Sequence, residues 1–156
     1  MKRKYFSSFV LVTVTIALFA ASGLAQTEDE SEILQLVNRE RSRVRLGSLT
    51  WDDRLGKLAR DYSRRMAREG FFDHFDPDGK SVLDRAARIP GWARIGENLY
   101  VCSDQPYYTT AAIRGWLKSP THKTNMLDRT WTATGIGIAT ARDGSIYITQ
   151  VFTSED

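Results

Sequence analysis

Cysteine is almost absent from this sequence, since Cys102 is the only one among 156 residues. A disulfide within the chain is therefore excluded, and so is the disulfide scaffold on which many small secreted domains depend. The fold must instead be stabilised by an apolar core, for which a chain of this length is large enough. Cys102 follows the apolar residues 99–101, and we expect its thiol to be buried.

The chain also lacks a net charge of either sign once its first 25 residues are excluded. The chain has 22 basic and 19 acidic residues, a formal net charge of +3. Three of the basic residues are Lys2, Arg3 and Lys4, and the first 25 residues contain no acidic one. The remainder therefore has 19 residues of each sign, which gives no support to binding of nucleic acid or of an anionic membrane.

No apolar run is long enough to span a bilayer, which takes about 20 residues. The longest, residues 9–21, has 13 residues and follows a basic N-terminus. Small residues, Gly23 and Ala25, then stand three and one positions before Gln26. This pattern predicts a secretory signal peptide over residues 1–25, with an uncleaved anchor as the alternative. We expect a secreted or periplasmic protein with no membrane anchor after cleavage.

Two helices are predicted in the first part of the remaining chain. Residues 26–30 are polar and acidic, and we expect a short disordered leader there. From Ser31, the expected N-cap, apolar residues recur at helical spacing, and Gly47 ends the pattern. The second helix is better marked, with apolar residues on one face: Leu55, Leu58, Ala59, Tyr62 and Met66. Gly70 follows as its expected C-terminal stop.

Shorter helices are predicted in the middle of the chain. Ser81 is expected to cap a short helix over residues 82–88. Pro106 is expected to open a third substantial helix, which Ser119-Pro120 interrupts. A further turn or short helix is expected over residues 121–127.

The β-rich segments lie mainly at the C-terminal end. Residues 95–102 favour an extended strand. The runs 135–140 and 145–152 flank an Ala-Arg-Asp-Gly turn, which is typical of a hairpin. Helices followed by a small antiparallel sheet predict an α+β fold in one domain, over residues 31–153.

Histidine is the other scarce residue, and both copies lie in polar, turn-rich segments. His74 precedes the turn at residues 76–79, and His122 follows Ser119-Pro120. Taken alone, each is typical of an ordinary surface or capping residue. Glu97, however, stands isolated in the extended segment between them. A carboxylate and two imidazoles are the side chains from which small divalent-metal sites and acid–base sites are built.

Several ordered motifs resemble those of the CAP superfamily, the cysteine-rich secretory, antigen 5 and pathogenesis-related proteins. The matching segments are His74 to Gly79 (H-x-x-P-x-G), Gly96 to Leu99 (GENL), Trp116 to Leu127 (W-x-x-S-P-x-H-x-x-N-x-L in bacterial members), and the closing-strand residues 135–137 and 150–152. Together they cover residues 31–152. Because several motifs occur in the same order, the resemblance is specific, whereas a lone Gly-Glu-Asn would not be.

The resemblance implies a three-layer α-β-α sandwich, in which a three-stranded antiparallel sheet lies between helical layers beside a large open cleft. Two histidines and two glutamates usually line that cleft. By position, His74, Glu97 and His122 match three of the four. The fourth, acidic in many eukaryotic members, corresponds to Ser119 here, as in many bacterial relatives.

The same resemblance supplies candidate roles. We expect His74, Glu97 and His122 to be the candidate catalytic residues, with His74 and His122 as candidate ligands for Zn²⁺ or another divalent cation. Glu97 could orient a metal-bound water, accept its proton, or hold a histidine tautomer. Two imidazoles alone predict a labile site, and further ligands from Asp73 or Asp76 stay open.

Three functions stay open at this point. The first is an exported module whose cleft binds a small molecule, a lipid, a cell-wall fragment or another extracellular partner. The second is a metal-assisted hydrolase that uses His74, His122 and Glu97. The third is a structural protein of the envelope. Whether the protein is an enzyme, and whether it forms oligomers, are left undecided by the sequence.

Other notable residues have ordinary structural interpretations. Ser119 is near His122 but lacks a nucleophile elbow, so we expect it to cap the helical turn that follows. Asn98 and Asn125 are expected to tie loops to backbone groups, the scaffold role they have in the family. Core packing is the expected role of the tryptophans, with a ligand groove as the alternative: Trp51, Trp92, Trp116 and Trp131.

Overall fold

The structure is a computed structural model that describes residues 25–103 and 105–154. In chain order the described elements are α1 (Glu28–Arg43), β1 (Thr50–Trp51), α2 (Asp53–Glu69), α3 (Val82–Arg85), β2 (Arg94–Cys102), α4 (Tyr108–Lys118), α5 (Pro120–Met126), β3 (Ala133–Thr140) and β4 (Ile146–Ser154). The predicted signal peptide lies outside the described residues, apart from Ala25 at its end. None of the helices in the described residues is long and apolar enough to cross a membrane.

The four strands form one mixed sheet in the order β1-β3-β4-β2. β3 and β4 are the predicted hairpin, and β2 pairs antiparallel with the other side of β4. The two-residue β1 adds to the expected three strands by pairing in parallel with β3. The sequence did not predict it because two residues are too few to show an alternation. β2 is left at the edge of the sheet.

Side chains of β4 alternate between two helical layers, as the two-residue period of a strand requires. Ile148 and Phe152 join the core formed with α1, α4 and α5. Val151 packs on the opposite face with Leu55 and Ala59 of α2, where Val82 of α3 also contributes. The sheet therefore lies between two helical layers, and the predicted α+β, α-β-α sandwich is confirmed.

Two glycines of β3 let α2 lie directly on the sheet. A Cβ built on Gly135 would lie 2.1 Å from the backbone nitrogen of Gly56. One on Gly137 would lie 2.0 Å from the backbone nitrogen of Arg60. No side chain fits at either position, so the Gly-Ile-Gly-Ile segment sets the distance between this helix and the sheet.

The predicted disordered leader over residues 26–30 is wrong at its C-terminal end. α1 begins at Glu28 with Thr27, not Ser31, as its N-cap. Thr27 and Glu30 form a capping box, in which each side chain accepts a hydrogen bond from the other's backbone N–H. The Glu30 carboxylate is also buried against Arg60 of α2, at 2.5 Å. Tertiary pairing thus orders acidic residues that look disordered in isolation.

Two predicted helix ends are confirmed, the stop of α2 at Gly70 and the cap of α3 at Ser81. The Asp52 side chain caps α2 by accepting from the backbone N–H groups of Arg54 and Leu55. Gly70 ends the same helix in the left-handed conformation, at φ 71°. Ser81 caps α3 through the N–H of Asp84.

Other local predictions are corrected. α1 ends at Arg43 rather than at Gly47, and α3 is only four residues long. Ser119 occupies the N-cap position of α5, but its hydroxyl makes no capping hydrogen bond. Cys102 is only partly buried, because it lies at the end of the edge strand β2.

Candidate functional site

His74 follows α2 in a loop that the Asp76 carboxylate holds in shape. Asp76 is buried and accepts hydrogen bonds from the backbone N–H groups of Asp78 and Lys80, at 2.9 and 2.8 Å. Its other oxygen accepts from Nη1 of Arg65 in α2, at 2.6 Å. Asp76 is therefore committed to the turn, which argues against it as a metal ligand.

The imidazole of His74 is paired with the Glu97 carboxylate. His74 Nδ1 lies 2.8 Å from Glu97 Oε1. The exposed fractions of the two side chains differ sharply, at 49% for His74 and 2% for Glu97. The carboxylate is thus buried beneath an imidazole that reaches the solvent.

Arg85 holds the other oxygen of Glu97. Its Nη2 donates to Glu97 Oε2 at 2.5 Å, and only 10% of the Arg85 side chain is exposed. Its Nη1 donates to the backbone carbonyls of His74 and Lys80, at 3.1 and 2.9 Å. A single guanidinium therefore contacts both the carboxylate and the backbone of the histidine that the carboxylate holds.

Tyr62 of α2 packs against the Arg85 guanidinium. The Arg85 guanidinium carbon lies 3.4 Å from the centroid of the Tyr62 ring, a cation–π contact. The Tyr62 hydroxyl donates to the backbone carbonyl of Asp73 at 2.6 Å. Burial raises the pKa of Tyr62 to about 12, so the phenol keeps its proton and remains a donor at neutral pH.

His122 reaches the site from α5, on the other side of β2. Asn98 of β2 donates to the backbone carbonyl of His122 at 3.0 Å. Asn125 donates to Asn98 Oδ1 and to the backbone carbonyl of Glu97, at 3.0 and 3.1 Å. The predicted scaffold role of the two asparagines is thus borne out by their contacts: they fasten α5 to the edge of the sheet beside Glu97.

The two histidines face each other across an open cleft. Their ring centroids are 6.3 Å apart. Burial, together with the nearby His74, lowers the pKa of His122. The cleft has a volume of about 480 Å³. Its lining residues are His74, Arg94, Glu97, Asn98, Pro120, Thr121, His122, Thr124, Asn125, Asp128 and Trp131.

The far wall of the cleft is the segment that follows α5, and buried Arg41 of α1 fixes it. The guanidinium donates to the backbone carbonyls of Met126, Asp128 and Trp131, at 2.9–3.3 Å, and to that of Gly47, at 2.8 Å. One buried side chain thus joins four backbone carbonyls, three of which lie at or after the end of α5.

Trp116 has the predicted role in core packing, whereas Trp131 also lines the cleft, the alternative considered for the tryptophans. Trp116 is fully buried and donates to the Leu99 carbonyl, as expected of a core residue. Trp131 is also buried, but one side lines the cleft, where the Arg94 guanidinium lies 4.8 Å from its ring centroid.

The cleft offers few side chains that could bind a divalent cation. Among the described residues, no group of three or more His, Cys, Asp or Glu side chains is arranged to hold a metal. His74 and His122 remain as two nitrogen donors. Glu97 engages Nδ1 of His74, as carboxylates do behind metal-binding histidines. The donor set therefore fits a weak two-histidine site, with Glu97 behind the ligands.

Sequence reasoning found three members of this site and missed the side chains that hold them. Arg85 and Tyr62 were not singled out, because an arginine in a short helix and a tyrosine on an apolar helical face are ordinary in sequence. The one available signal was the position of Tyr62, on the face of α2 that packs inward. Arg94 and Asp128 of the cleft wall were also missed.

The comparisons with other proteins agree with this architecture. A family model for the cysteine-rich secretory protein family, CAP, matches residues 34–152. The chain is 32% identical over 115 residues to the uncharacterized membrane protein YlbC of Bacillus subtilis, and 30% identical over 122 residues to the uncharacterized protein YkwD of the same organism. The matches cover 72% and 78% of this chain but 32% and 46% of those relatives, so the chain spans less than half of either.

Solved structures share the fold. An extracellular protein of Bacillus anthracis containing an SCP domain is 31% identical, with a TM-score of 0.70 over 81% of this chain and 40% of that one. An outer surface protein of Borrelia burgdorferi is 19% identical, with a TM-score of 0.75 over 83% and 95%. NaASP2, crystallised with Zn²⁺, is 15% identical, with a TM-score of 0.60 over 81% and 80%. The last two show likeness of fold alone.

An α-β-α sandwich with a cleft at the edge strand defines a domain of the SCP type. The match of the family model over most of the chain is more specific. The chain belongs to the CAP, or cysteine-rich secretory protein, family.

Proposed function

We propose that the protein is an exported CAP-domain module whose cleft binds an extracellular or cell-envelope ligand through His74 and His122. The observation that carries this proposal is the pairing of a half-exposed imidazole with a buried carboxylate, 2.8 Å apart, beside an open cavity of about 480 Å³. Concave sites with a few convergent polar groups are typical of ligand binding. The candidate ligands are a small molecule, a lipid, a cell-wall fragment and another extracellular partner.

Glu97 is best supported as the group that orients His74. Both of its oxygens are already hydrogen-bonded, one to His74 and one to Arg85, and the side chain is 2% exposed. A carboxylate in this state has little freedom to contact a water or a substrate. Of the three roles considered from the sequence, holding the imidazole therefore accords best with the contacts.

A divalent cation such as Zn²⁺ is the proposed optional partner of the two imidazoles. His74 and His122 would hold it, and when bound it would supply Lewis acidity at the cleft. With two protein ligands, the affinity should be low, since structural zinc sites in proteins have four. The zinc in crystals of the structural neighbour NaASP2 is consistent with such binding within this fold.

A metal-assisted hydrolase receives less support. That mechanism requires a carboxylate that is free to take a proton from water, whereas the Glu97 carboxylate is hydrogen-bonded to Arg85.

The extracellular description of the Bacillus anthracis relative, together with the signal-peptide pattern at residues 1–25, supports export.

Isothermal titration calorimetry with ZnCl₂ between pH 6 and 8 tests the proposed pair of ligands. Wild-type protein should bind one equivalent weakly, and His74→Ala and His122→Ala should each remove the heat. Thr124→Ala, an exposed substitution in the same cleft, should leave it unchanged. Heat that survives both histidine variants, or its absence from the wild type, would remove the cation from the proposal.

A further inference from the structure

We infer that Arg85 is the positioning residue of this site, which acts through Glu97 to fix His74 in a single neutral tautomer. In that tautomer Nδ1 carries the hydrogen and Nε2 offers its lone pair for binding. The inference rests on the proposed function only in the use it gives to Nε2. The tautomer itself is a property of the protein without any ligand.

The first step is the pairing of Glu97 with a guanidinium. Arg85 always carries its charge, and Glu97 Oε2 accepts from it at 2.5 Å. This charge-assisted bond fixes the orientation of the carboxylate, so that its second oxygen faces the imidazole. An ionised carboxylate only accepts hydrogen bonds. Glu97 Oε1, 2.8 Å from His74 Nδ1, therefore requires Nδ1 to be the donor.

The second step concerns the backbone of the histidine. Arg85 Nη1 holds the carbonyl of His74, and the Tyr62 hydroxyl holds the carbonyl of Asp73. Two consecutive carbonyls are thus fastened by side chains that also contact each other, since the guanidinium lies on the Tyr62 ring. The backbone that carries the imidazole is therefore held beside Glu97, within reach of the hydrogen bond to Nδ1.

The third step is the burial of the arrangement. The Arg85 side chain is 10% exposed and that of Glu97 is 2% exposed, so water competes little for their hydrogen bonds. Without Arg85, His74 would be the one side chain among the described residues that hydrogen-bonds to the Glu97 carboxylate. The carboxylate would then be free to turn away from Nδ1, and the hydrogen of the imidazole would no longer be held there but would also occupy Nε2, where it would block binding.

Nitrogen-15 NMR of the imidazoles tests this inference directly, because the chain has only two histidines. Protein labelled with ¹⁵N-histidine would be measured near pH 7.5 without metal. The wild type should show His74 with a protonated Nδ1 and an unprotonated Nε2. Arg85→Met should lose this pattern, with hydrogen appearing on Nε2. Arg88→Met, an exposed arginine three residues further on, is the matched control and should keep the wild-type pattern.

A second variant keeps the test decisive if Arg85→Met does not fold. In Glu97→Gln, Arg85 should draw the amide oxygen toward itself, so that the amide NH₂ faces His74. Nδ1 must then accept, and the tautomer should reverse to Nε2–H. Wild-type tautomer in a folded Arg85→Met, or in Glu97→Gln with Arg85 intact, would overturn the inference. Absence of zinc binding in the wild type would count against the proposed function alone, because the tautomer is measured without metal.

Discussion

The carbonyl of Glu97 and the amide of Asn125 are joined by a hydrogen bond of 3.1 Å that closes the edge of the sheet at the cleft. In an isolated edge strand this carbonyl would be open to solvent or to another strand. Here α5 covers it, and the same asparagine also contacts Asn98, which holds the carbonyl of His122. The side chain of Glu97 thus contacts His74, while its backbone carbonyl binds Asn125 of α5, the helix that carries His122.

This asparagine pair should contribute substantially to stability. Asn98 is completely buried, and Asn98→Ala would remove the side-chain donor to the His122 carbonyl and one of the two acceptors of the Asn125 amide. Loss of a buried partner costs about 1–3 kcal/mol, so the free energy of unfolding should fall by that amount. Urea denaturation checks it, with exposed Lys123→Ala as the control. Equal stability of the two variants would contradict the scaffold role.

Arg41 should contribute far more to the stability of the fold than the nearby Arg43. Arg41→Met removes the donor for four backbone carbonyls, whereas the Arg43 side chain is 66% exposed and forms a surface ion pair with Glu40. We expect Arg41→Met to lower the free energy of unfolding by about 3 kcal/mol. Arg43→Met should change it by less than about 1 kcal/mol. Urea denaturation of both variants checks this prediction. Equal free energies of unfolding would contradict a stabilising role for the four hydrogen bonds of Arg41.

Acid should weaken the protein through Asp76. Burial alone would raise the pKa of Asp76, but the N–H groups of Lys80 and Asp78 and the charge of Arg65 lower it overall. A lowered carboxyl pKa stabilises the fold above the unfolded value, about 3.9, and that stability is lost as the pH falls through the folded value. Asp76→Asn should therefore be less stable than wild type at pH 7. The difference should shrink below about pH 4, and a difference independent of pH would contradict this account.

His122 should also make the free energy of unfolding depend on pH, in a range above that of Asp76. Burial and the nearby His74 lower its pKa, so the folded protein takes up the proton less readily than the unfolded chain. Stability should thus decrease as the pH falls below about 6.5, the ordinary value for histidine. His122→Asn should flatten the dependence of unfolding free energy on pH between about 5 and 7. An unchanged slope would show that His122 titrates alike in both states.

Those parts of the fold that depend on local patterns were predictable from the sequence. The apolar face of α2 and its stop at Gly70 follow from spacing and from the left-handed conformation that glycine accepts. The hairpin of β3 and β4 follows from two β-rich runs around a turn. The start of α1 was missed because Glu30 is paired with Arg60, which lies 30 residues away in sequence.

The candidate site was predictable as a set of three residues but not as a working arrangement. His74, Glu97 and His122 are unusual enough in their segments, and in their family motifs, to be singled out. Arg85 could not be found in this way, since its importance comes from three contacts that exist only after folding. The same holds for Arg41, whose four carbonyl partners are brought together by the fold.

The most direct test of the proposed site is a zinc titration of ¹⁵N-histidine-labelled protein followed by NMR. Both imidazoles should respond together, with the same dependence on zinc concentration. The change at His74 should be centred on Nε2, while Nδ1 keeps the hydrogen that it donates to Glu97. A response of one histidine alone, of neither, or of His74 through Nδ1 would contradict a shared site in which Glu97 holds His74 toward His122.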